Sequence, residues 1–480
     1  MKNLMKLLQN IAFESKGNLP DEIENISNNS NQITNNSLFV SIVGENVDGH
    51  EFVELAIENG AIVVVVERFL NMSIPQIKVS NTKIALAQLS ANYYDNPSTK
   101  LKIIGITGTN GKTTVVYLLR KIFKKAGLKC GSIGTLGYVI DCEKFPTNLT
   151  TPDSLQLQQI FAEMVEKGVT HVTMEVSSHS IALNRIENIN FVGVAFTNLS
   201  QDHLDYHKTI EHYAATKAIL FEKTDGFKIC NIDDKYSPYF LKNGSILTTS
   251  INKNSDYKWN NDVAYKSGIT GTILSPFGKI KVQTKLSGVF NLYNILTAVA
   301  CAFEVGVDIE SIEKTLQNIM HIPGRLQEIN TINKSRIFID YAHTPDAIEN
   351  VLLTLRDILP ENGKLISLFG CGGNRDKTKR PKMAKATEKY SDFCILTSDN
   401  SRFEDPIQIL KDTFEGFSGN VPYITILDRK EAIEFGLSLL SENIIFAILG
   451  KGHENYIDVM GVKHPFDEQQ IIQDYYEKHK

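Results

Sequence analysis

The sequence predicts an α/β protein of three domains: a small N-terminal α/β domain, a central phosphate-loop domain on a parallel sheet, and a doubly wound C-terminal domain. Three observations carry this. The chain has 480 residues, enough for about three domains of ordinary size. A strand-like run, a glycine turn and an amphipathic helix follow one another over 101–127. Beyond residue 330, RIFIDYA (336–342), KLISLFG (364–370), SDFCILTSD (391–399) and IIFAILG (444–450) alternate with helical stretches, the pattern of a parallel sheet. Turn-forming breaks at NYYDNPSTK (92–100) and HIPGRLQEI (321–329) set the boundaries at 1–97, 98–327 and 328–480.

The start, MKNLMKLLQNIAFES, reads as an amphipathic helix rather than a leader, its apolar stretches broken by Lys6 and Gln9. ENISNNSNQITNNS (24–37) lies close between apolar strands and reads as recognition loops on a small domain. AIVVVV (61–66) is strand-sized, and no run reaches the length of a membrane span. The formal charge of −5 and pI near 6.2 argue against a nucleic-acid or membrane partner. Six scattered cysteines without a C-x-x-C favour neither disulfides nor zinc, so a cytoplasmic protein is expected.

The phosphate loop is the sharpest signal. Leu101 to Thr107 forms the strand; Gly108 and Gly111 form the turn; Lys112 and Thr113 follow. Val115, Leu118, Leu119, Ile122 and Phe123 share one helix face, and Gly127 is placed to end it. Backbone N–H groups and the helix dipole then point at one spot, where an anion is stabilised. Lys112 adds a point charge for the outer phosphates, and the Thr113 hydroxyl can ligate Mg²⁺. The standard motif wants a glycine where Ile106 stands, so this loop is a variant.

Further polar clusters fall at predicted strand ends. HVTMEVSSHS (171–180) offers Glu175 as an oxygen ligand for Mg²⁺. FVGVAFTNLSQDHLDYH (191–207) ends in Asn198, Asp202, His203, Asp205 and His207. Lys217 lies in mid-helix in KTIEHYAATKAILFEK, and by default reads as a solvated lysine on a charged face. Asn291 and Asn294, three apart, share a face of a first helical turn and either read a purine edge or cap the helix. Arg325 after the Pro-Gly turn suits a phosphate. GCGGNRDKTKRPKM (370–383) is a glycine-rich basic loop suited to an anionic substrate.

Taken together these segments resemble the Mur ligase family. GTNGKTT, EVSSHS, TNLSQDHLDYH, GVFNLYN, PGRLQEI, DYAHTPDA, FGCGGNRDKTKRP and GKGHE occur in family order over nearly the whole chain. The pattern is most similar to the branch that adds a diamino acid as third residue of a peptide on UDP-N-acetylmuramic acid. The resemblance implies a UDP-binding N-terminal domain, a central ATP-binding domain and a C-terminal amino-acid-binding domain. It implies ATP binding by Gly108, Thr109, Asn110, Gly111, Lys112, Thr113, Thr114, Asn291, Arg325, Asp340 and His343. Ser30, Thr150, Thr151, Ser177 and Arg185 would contact the UDP-MurNAc-dipeptide, while Leu183 stands where some relatives carry a polar contact.

Mg²⁺ would rest on Thr113, Glu175, His203 and Lys217, the last as a carbamate formed with CO₂; this replaces the solvated reading of Lys217. Lys112, Lys217 and His203 are the catalytic set that the resemblance implies. Arg375, Asp399, Asn400, Arg402, Gly450 and Glu454 would bind the diamino acid. In TSDNSRFEDP (397–406) Ser401 replaces the signature proline, and Arg402 suits a second carboxylate as a bidentate fork. Meso-diaminopimelate is therefore expected over lanthionine or lysine, with a monomer as the working state. A folate-type ligase is disfavoured by the N-terminal domain, and a GTP switch by the failure of NKNS (252–255) as a guanine reader.

Overall fold

The computed structural model describes residues 1–44, 47–242, 244–329 and 335–479; Glu45 and Asn46 of the expected UDP-domain stretch lie outside them. The chain packs into two compact units. The first comprises Met1–Thr107, Gly127–Val194 and Thr216–Phe227; the second comprises Gly108–Ala126, Ala195–Ala215 and Lys228–Lys480.

In the first unit, a five-stranded sheet runs in the order Glu14–Lys16, Gln76–Lys78, Ala61–Val66, Ser37–Val40, Asn25–Ser27. All neighbours are parallel except the first pair. Ala61–Val66 is nearly continuous in Val and Ile because a parallel strand is covered on both faces. Leu38, Val40, Val63 and Val65 meet Leu86 and Leu89 of the helix Thr82–Tyr93 in one core. The expected N-terminal helix is a single turn, Leu4–Leu7, because Lys2–Asn3 pairs as a strand with Glu22–Ile23 instead.

The same unit carries the strands Cys130–Gly134, His171–Glu175 and Lys102–Thr107, side by side and parallel. His171–Glu175 is buried at every position. Its register with the phosphate-loop strand sets Glu175 opposite Ile106, one residue before that strand ends.

In the second unit, a six-stranded sheet runs Gln327–Ile329, Arg336–Asp340, Ile444–Leu449, Lys364–Phe369, Phe393–Leu396, Tyr423–Thr425. All pairs are parallel except the first. Ile348, Leu352 and Met383 pack on one face, and Ala432, Ile433, Ile471 and Ile472 on the other. That is the doubly wound arrangement expected. The edge strands 327–329 and 423–425 were not foreseen; each is three residues long, too short to show a period.

Among the described residues, no helix is long and apolar enough to cross a membrane.

Candidate active site

The phosphate loop is shaped by close approach. The strand Lys102–Thr107 ends, and the helix Lys112–Lys125 begins after four residues of loop. Gly108 has φ +145°, and a Cβ there would lie 2.0 Å from Thr197 Oγ1. Gly111 has φ +87°, and its Cβ would lie 2.2 Å from Asn294 Oδ1. Only glycine satisfies both the positive φ and the missing space.

Asn198 clamps the loop: its carbonyl accepts from Thr109 N at 2.8 Å, and its side chain accepts from Asn110 N at 3.0 Å and donates to Asn110 O at 3.0 Å. Thr197 Oγ1 donates to Asn110 O at 2.7 Å. Thr109 Oγ1 donates to Ser200 O at 3.3 Å. Lys112 Nζ donates to the carbonyls of Gly108 and Thr109, both at 2.8 Å, so its charge is folded over the loop it serves.

Beside the loop lies a cavity of about 280 Å³. Its walls include Asn110, Gly111, Thr113 and Thr114, then Phe290, Tyr293 and Asn294, and on the far side Arg325, Asp340, Tyr341 and His343. One wall thus holds phosphate-type donors and another holds aromatic surface. Arg325 Nη2 donates to Thr113 Oγ1 at 2.9 Å, while its buried Nε has no partner. Asn294 Nδ2 donates to Asn291 Oδ1 at 3.1 Å, and Asn291 Nδ2 to Ser287 O at 2.8 Å. Asn291 therefore braces the start of its helix, and Asn294 is the one of the pair that faces the cavity.

Asp340 ends its strand and accepts from Leu326 N at 2.5 Å and Ala342 N at 2.7 Å. Burial pushes its carboxyl above the ordinary value, against the pull of Arg325. His343 Nδ1 lies 2.8 Å from Tyr341 O, and its Nε2 lies 3.8 Å from Asp202.

Asp202 was one of five polar candidates after its strand, and its environment singles it out. Burial alone would raise its carboxyl, but Lys379, His203 and His343 hold it well below the ordinary value. Lys379 Nζ lies 3.2 Å away and is itself buried. The basic loop 370–383 is accordingly spent on internal partners. Lys377 and Arg380 meet Glu404, Arg380 also meets Asp412, and Lys382 meets Gln201. Arg375 is exposed and donates to Asn374 O at 3.3 Å; partial desolvation and the neighbouring Arg402 push its guanidinium below its ordinary value. Of the basic residues of this loop, Lys379 and Arg380 are buried, while Arg375, Lys377 and Lys382 are exposed.

In the first unit, Thr151 Oγ1 donates to Glu175 O at 2.9 Å and accepts from Ser177 N at 3.1 Å. Arg185 Nη1 donates to Thr151 O at 3.1 Å. Thr135 ties Thr150 to Glu175, with its Oγ1 3.2 Å from each side chain and its N donating to Glu175 Oε1 at 2.8 Å. Four of the five expected dipeptide contacts and Glu175 therefore form one cluster. Ser30 opens a short turn after the strand Asn25–Ser27, and its carbonyl accepts from Asn59 Nδ2 at 2.9 Å. Lys217 is 1 % exposed, which removes the solvated reading.

The expected acceptor residues gather at the carboxyl ends of the C-terminal strands, where doubly wound sheets bind ligands. Arg402 has φ +51°, and its Nη1 donates to Gly373 O at 2.8 Å. Glu454 accepts from Asn400 Nδ2 at 3.0 Å and from Lys451 Nζ at 3.3 Å. Lys451 also donates to Asn400 Oδ1 at 3.1 Å and lies 3.7 Å from Asp399. Burial would raise the Asp399 carboxyl, but Lys451 and Arg429 hold it below the ordinary value. Gly450, at φ +115°, leaves room for Asp399: a Cβ there would sit 2.8 Å from Oδ2.

Sequence reasoning missed Lys451 and Tyr341; it counted Lys379 among the basic residues of the loop 370–383 but not its pairing with Asp202. Lys451 and Tyr341 sit inside stretches it had quoted, but a single lysine or tyrosine carries no spacing signal.

Mg²⁺ and a nucleotide fit these residues. The glycine cradle has no room for a side chain at Gly108 or Gly111, so it stays open to a phosphate-sized group. Among the described residues no three His, Cys, Asp or Glu side chains gather as a metal cage. Mg²⁺ suits such a sparse set, since it keeps waters and takes phosphate oxygens.

Comparison with known proteins agrees with this geometry. Three family profiles match in order: "Mur ligase family, catalytic domain" over 22–94, "Mur ligase middle domain" over 106–302, and "Mur ligase, glutamate ligase domain" over 324–452. The chain is 40 % identical over 477 residues to the UDP-N-acetylmuramoyl-L-alanyl-D-glutamate--2,6-diaminopimelate ligase of Caldanaerobacter subterraneus subsp. tengcongensis, covering 98 % of each. A solved structure of a ligase of that same name is 32 % identical, with TM-score 0.67 and 96 % of each chain covered. MurF ligase from Thermotoga maritima in complex with ADP shares the fold at 17 % identity, with TM-score 0.65 over 95 % of this chain and 97 % of that one. With one relative at 40 % identity over almost its full length, and all three profiles in register with the site, the chain belongs to the Mur ligase family.

Proposed function

We propose that this chain is an ATP-dependent ligase that joins meso-2,6-diaminopimelate to the D-glutamate of UDP-MurNAc-L-Ala-D-Glu, a step of peptidoglycan precursor synthesis. The observation that carries the reading is the 40 % identity across 98 % of a relative bearing that activity in its name. The acceptor assignment draws further support from Arg402, held beside Arg375 at the carboxyl ends of the strands. The domain limits 1–97, 98–327 and 328–480 are part of the proposal; the five-stranded sheet falls within the first and the six-stranded sheet, apart from Gln327, within the third. Every residue assigned lies on one chain, so a monomer suffices. On this reading the protein acts in the cytoplasm, where its ATP is.

The reaction begins with transfer of the terminal phosphoryl group to the D-glutamyl carboxylate. The loop 108–111 and the start of the helix after it bind the phosphates, and Lys112 offsets charge on the transferring group. Mg²⁺, when bound, neutralises phosphate charge; Thr113, Glu175, His203 and Lys217 as a carbamate are the residues we assign to it. Thr150, Thr151, Ser177 and Arg185 orient the dipeptide, and Ser30 the uridine end. Arg325, Asp340 and His343 hold the nucleotide, and Asn291, which does not line the cavity, braces Asn294 against it. Arg375 and Arg402 take the far carboxylate of the acceptor, Asp399, Asn400 and Gly450 shape its pocket, and Glu454 takes the distal ammonium. The acceptor amine attacks the acyl phosphate, a tetrahedral adduct forms, and phosphate leaves. Orientation and charge neutralisation are the protein's contribution.

The test is ATP-dependent phosphate release with UDP-MurNAc-dipeptide and a panel of acceptors. Release with diaminopimelate well above lanthionine and lysine is expected. Preference for lysine would reassign the acceptor, and absence of release with every amino acid would remove the ligase reading. Carbamylation is tested separately: Lys217→Ala should be inactive and partly rescued by small carboxylic acids, and full activity of the variant would remove that assignment.

A further inference from the structure

Tyr341 has no part in the mechanism above, yet its side chain touches both the nucleotide side and the acceptor side. The Arg325 guanidinium lies 4.6 Å from the centroid of its ring, and that same guanidinium donates to Thr113 of the phosphate loop at 2.9 Å. At the other end, the Tyr341 hydroxyl donates to Glu454 Oε1 at 3.2 Å. The second oxygen of Glu454 is held by Asn400 and Lys451. His343 meets the ring edge-on at 4.8 Å between centroids, and His453 lies at 5.3 Å. The ring is thereby boxed in.

The backbones carrying these three residues are equally close. Tyr341 N donates to Gly324 O at 3.0 Å. A Cβ on Gly324 would lie 2.3 Å from His453 N; one on Gly452 would lie 2.7 Å from Gly324 O and 2.8 Å from Tyr341 Cβ. The segments bearing Arg325, Tyr341 and Glu454 therefore pack main chain on main chain, with glycine where they touch. Close-packed elements pass a displacement on rather than absorb it.

We propose that Tyr341 is a positioning residue that couples the two ligands: its ring sets Arg325 and its hydroxyl sets Glu454, so that the diamino acid binds more tightly to nucleotide-loaded protein. This rests on the reading that Arg325 faces ATP and Glu454 takes the distal ammonium. The alternative is that Tyr341 only fills space, in which case its hydroxyl is dispensable. Linkage makes the coupling reciprocal, so it is measurable from either ligand.

The experiment is calorimetric titration of the full chain with meso-diaminopimelate, with and without a non-hydrolysable ATP analogue, in wild type, Tyr341→Phe and Tyr341→Leu. In wild type the analogue should tighten acceptor binding about five- to tenfold, within the usual range of coupling between sites. Tyr341→Phe keeps the ring and the packing. It should leave analogue affinity unchanged, weaken the acceptor about tenfold through the lost bond to a charged group, and reduce the coupling factor to below about two. Tyr341→Leu should weaken the analogue as well, since the stacking surface is gone. Wild-type coupling retained in Tyr341→Phe overturns the proposal alone, as does the absence of coupling in wild type. Wild type that binds no diamino acid overturns the functional reading, and this proposal with it.

Discussion

The phosphate loop, Gly108 to Gly111, does its work with backbone, whereas the acceptor loop, Asp399 to Arg402, relies on buried charge. In the first, two glycines at positive φ let the main chain lie close to Thr197, Asn198 and Asn294, and one lysine lies over the turn. In the second, Asp399, Asn400, Lys451 and Glu454 form a network in which Lys451 is fully buried and reaches three partners. A backbone cradle is tolerant of what flanks it, so the loop can bind any triphosphate of suitable shape. A buried ionic network is exacting, because a charge left without its partner in a dry site is heavily penalised. On the proposed reading, general binding of a common nucleotide and selective binding of one amino acid are met by different physics.

The largest expected effect falls on the backbone cradle's single charge. Lys112→Ala should abolish ligation, by about a thousandfold or more on the scale of lost phosphoryl-charge stabilisation. Binding of UDP-MurNAc-dipeptide, read by calorimetry, should stay within about twofold, since its expected contacts lie on other residues. Equal loss of both would show that the two ligand sites are not separate, and the contrast drawn here would fail.

Next comes the acceptor arginine. Lysine lacks the second carboxylate of diaminopimelate, so Arg402, which keeps Gly373 O and, at 4.0 Å, Asp458 as partners, loses only its charged bond to the ligand, a difference of about tenfold or more in kcat/KM. Arg402→Ala should lower the rate with diaminopimelate sharply and narrow the gap to lysine. An unchanged preference in the variant would mean that Arg402 does not set specificity.

Lys451→Met sharpens the comparison. Removing the cation leaves Asp399 and Glu454 facing each other's charge. The KM for the acceptor should rise about tenfold or more, while the KM for ATP changes by less than about twofold. Lys451→Arg, which keeps the charge, should recover part of the loss. Equal effects on both KM values would place Lys451 in general stability rather than in the acceptor network.

The smallest effect is a pH dependence. The Asp399 carboxyl is held below its ordinary value of 3.8 by Lys451 and Arg429 against burial. A depressed folded-state value means that the carboxylate stabilises the fold above 3.8, and that this stabilisation is lost as pH falls through the lowered value. Asp399→Asn should therefore lower the urea midpoint by the same amount across about pH 5 to 8, and the gap should close only in stronger acid. A gap that already shrinks between about pH 7 and 5 would mean the group is not held low.

Much of this site was legible beforehand where chemistry is local in the chain. Gly108, Gly111, Lys112 and Thr113 are adjacent, so strand, turn and helix periodicity sufficed to find them. The dipeptide cluster was legible only through resemblance, because Thr151, Ser177 and Arg185 meet across 34 residues of chain. Lys217 is instructive in another way. Mid-helix placement argued for a solvated side chain, and its burial came instead from packing around the helix.

By itself the sequence determined the order of elements, the phosphate loop and the C-terminal parallel strands, because φ preferences, period and glycine placement act over a few residues. Only tertiary structure decided which charges cancel. It paired Lys379 with Asp202, Arg380 with Glu404, and Lys451 with Asp399, and left Arg375, Lys377 and Lys382 exposed out of a run of five basic side chains. Ion pairing depends on distance and burial, and neither is written in the spacing of residues that meet from distant parts of the chain.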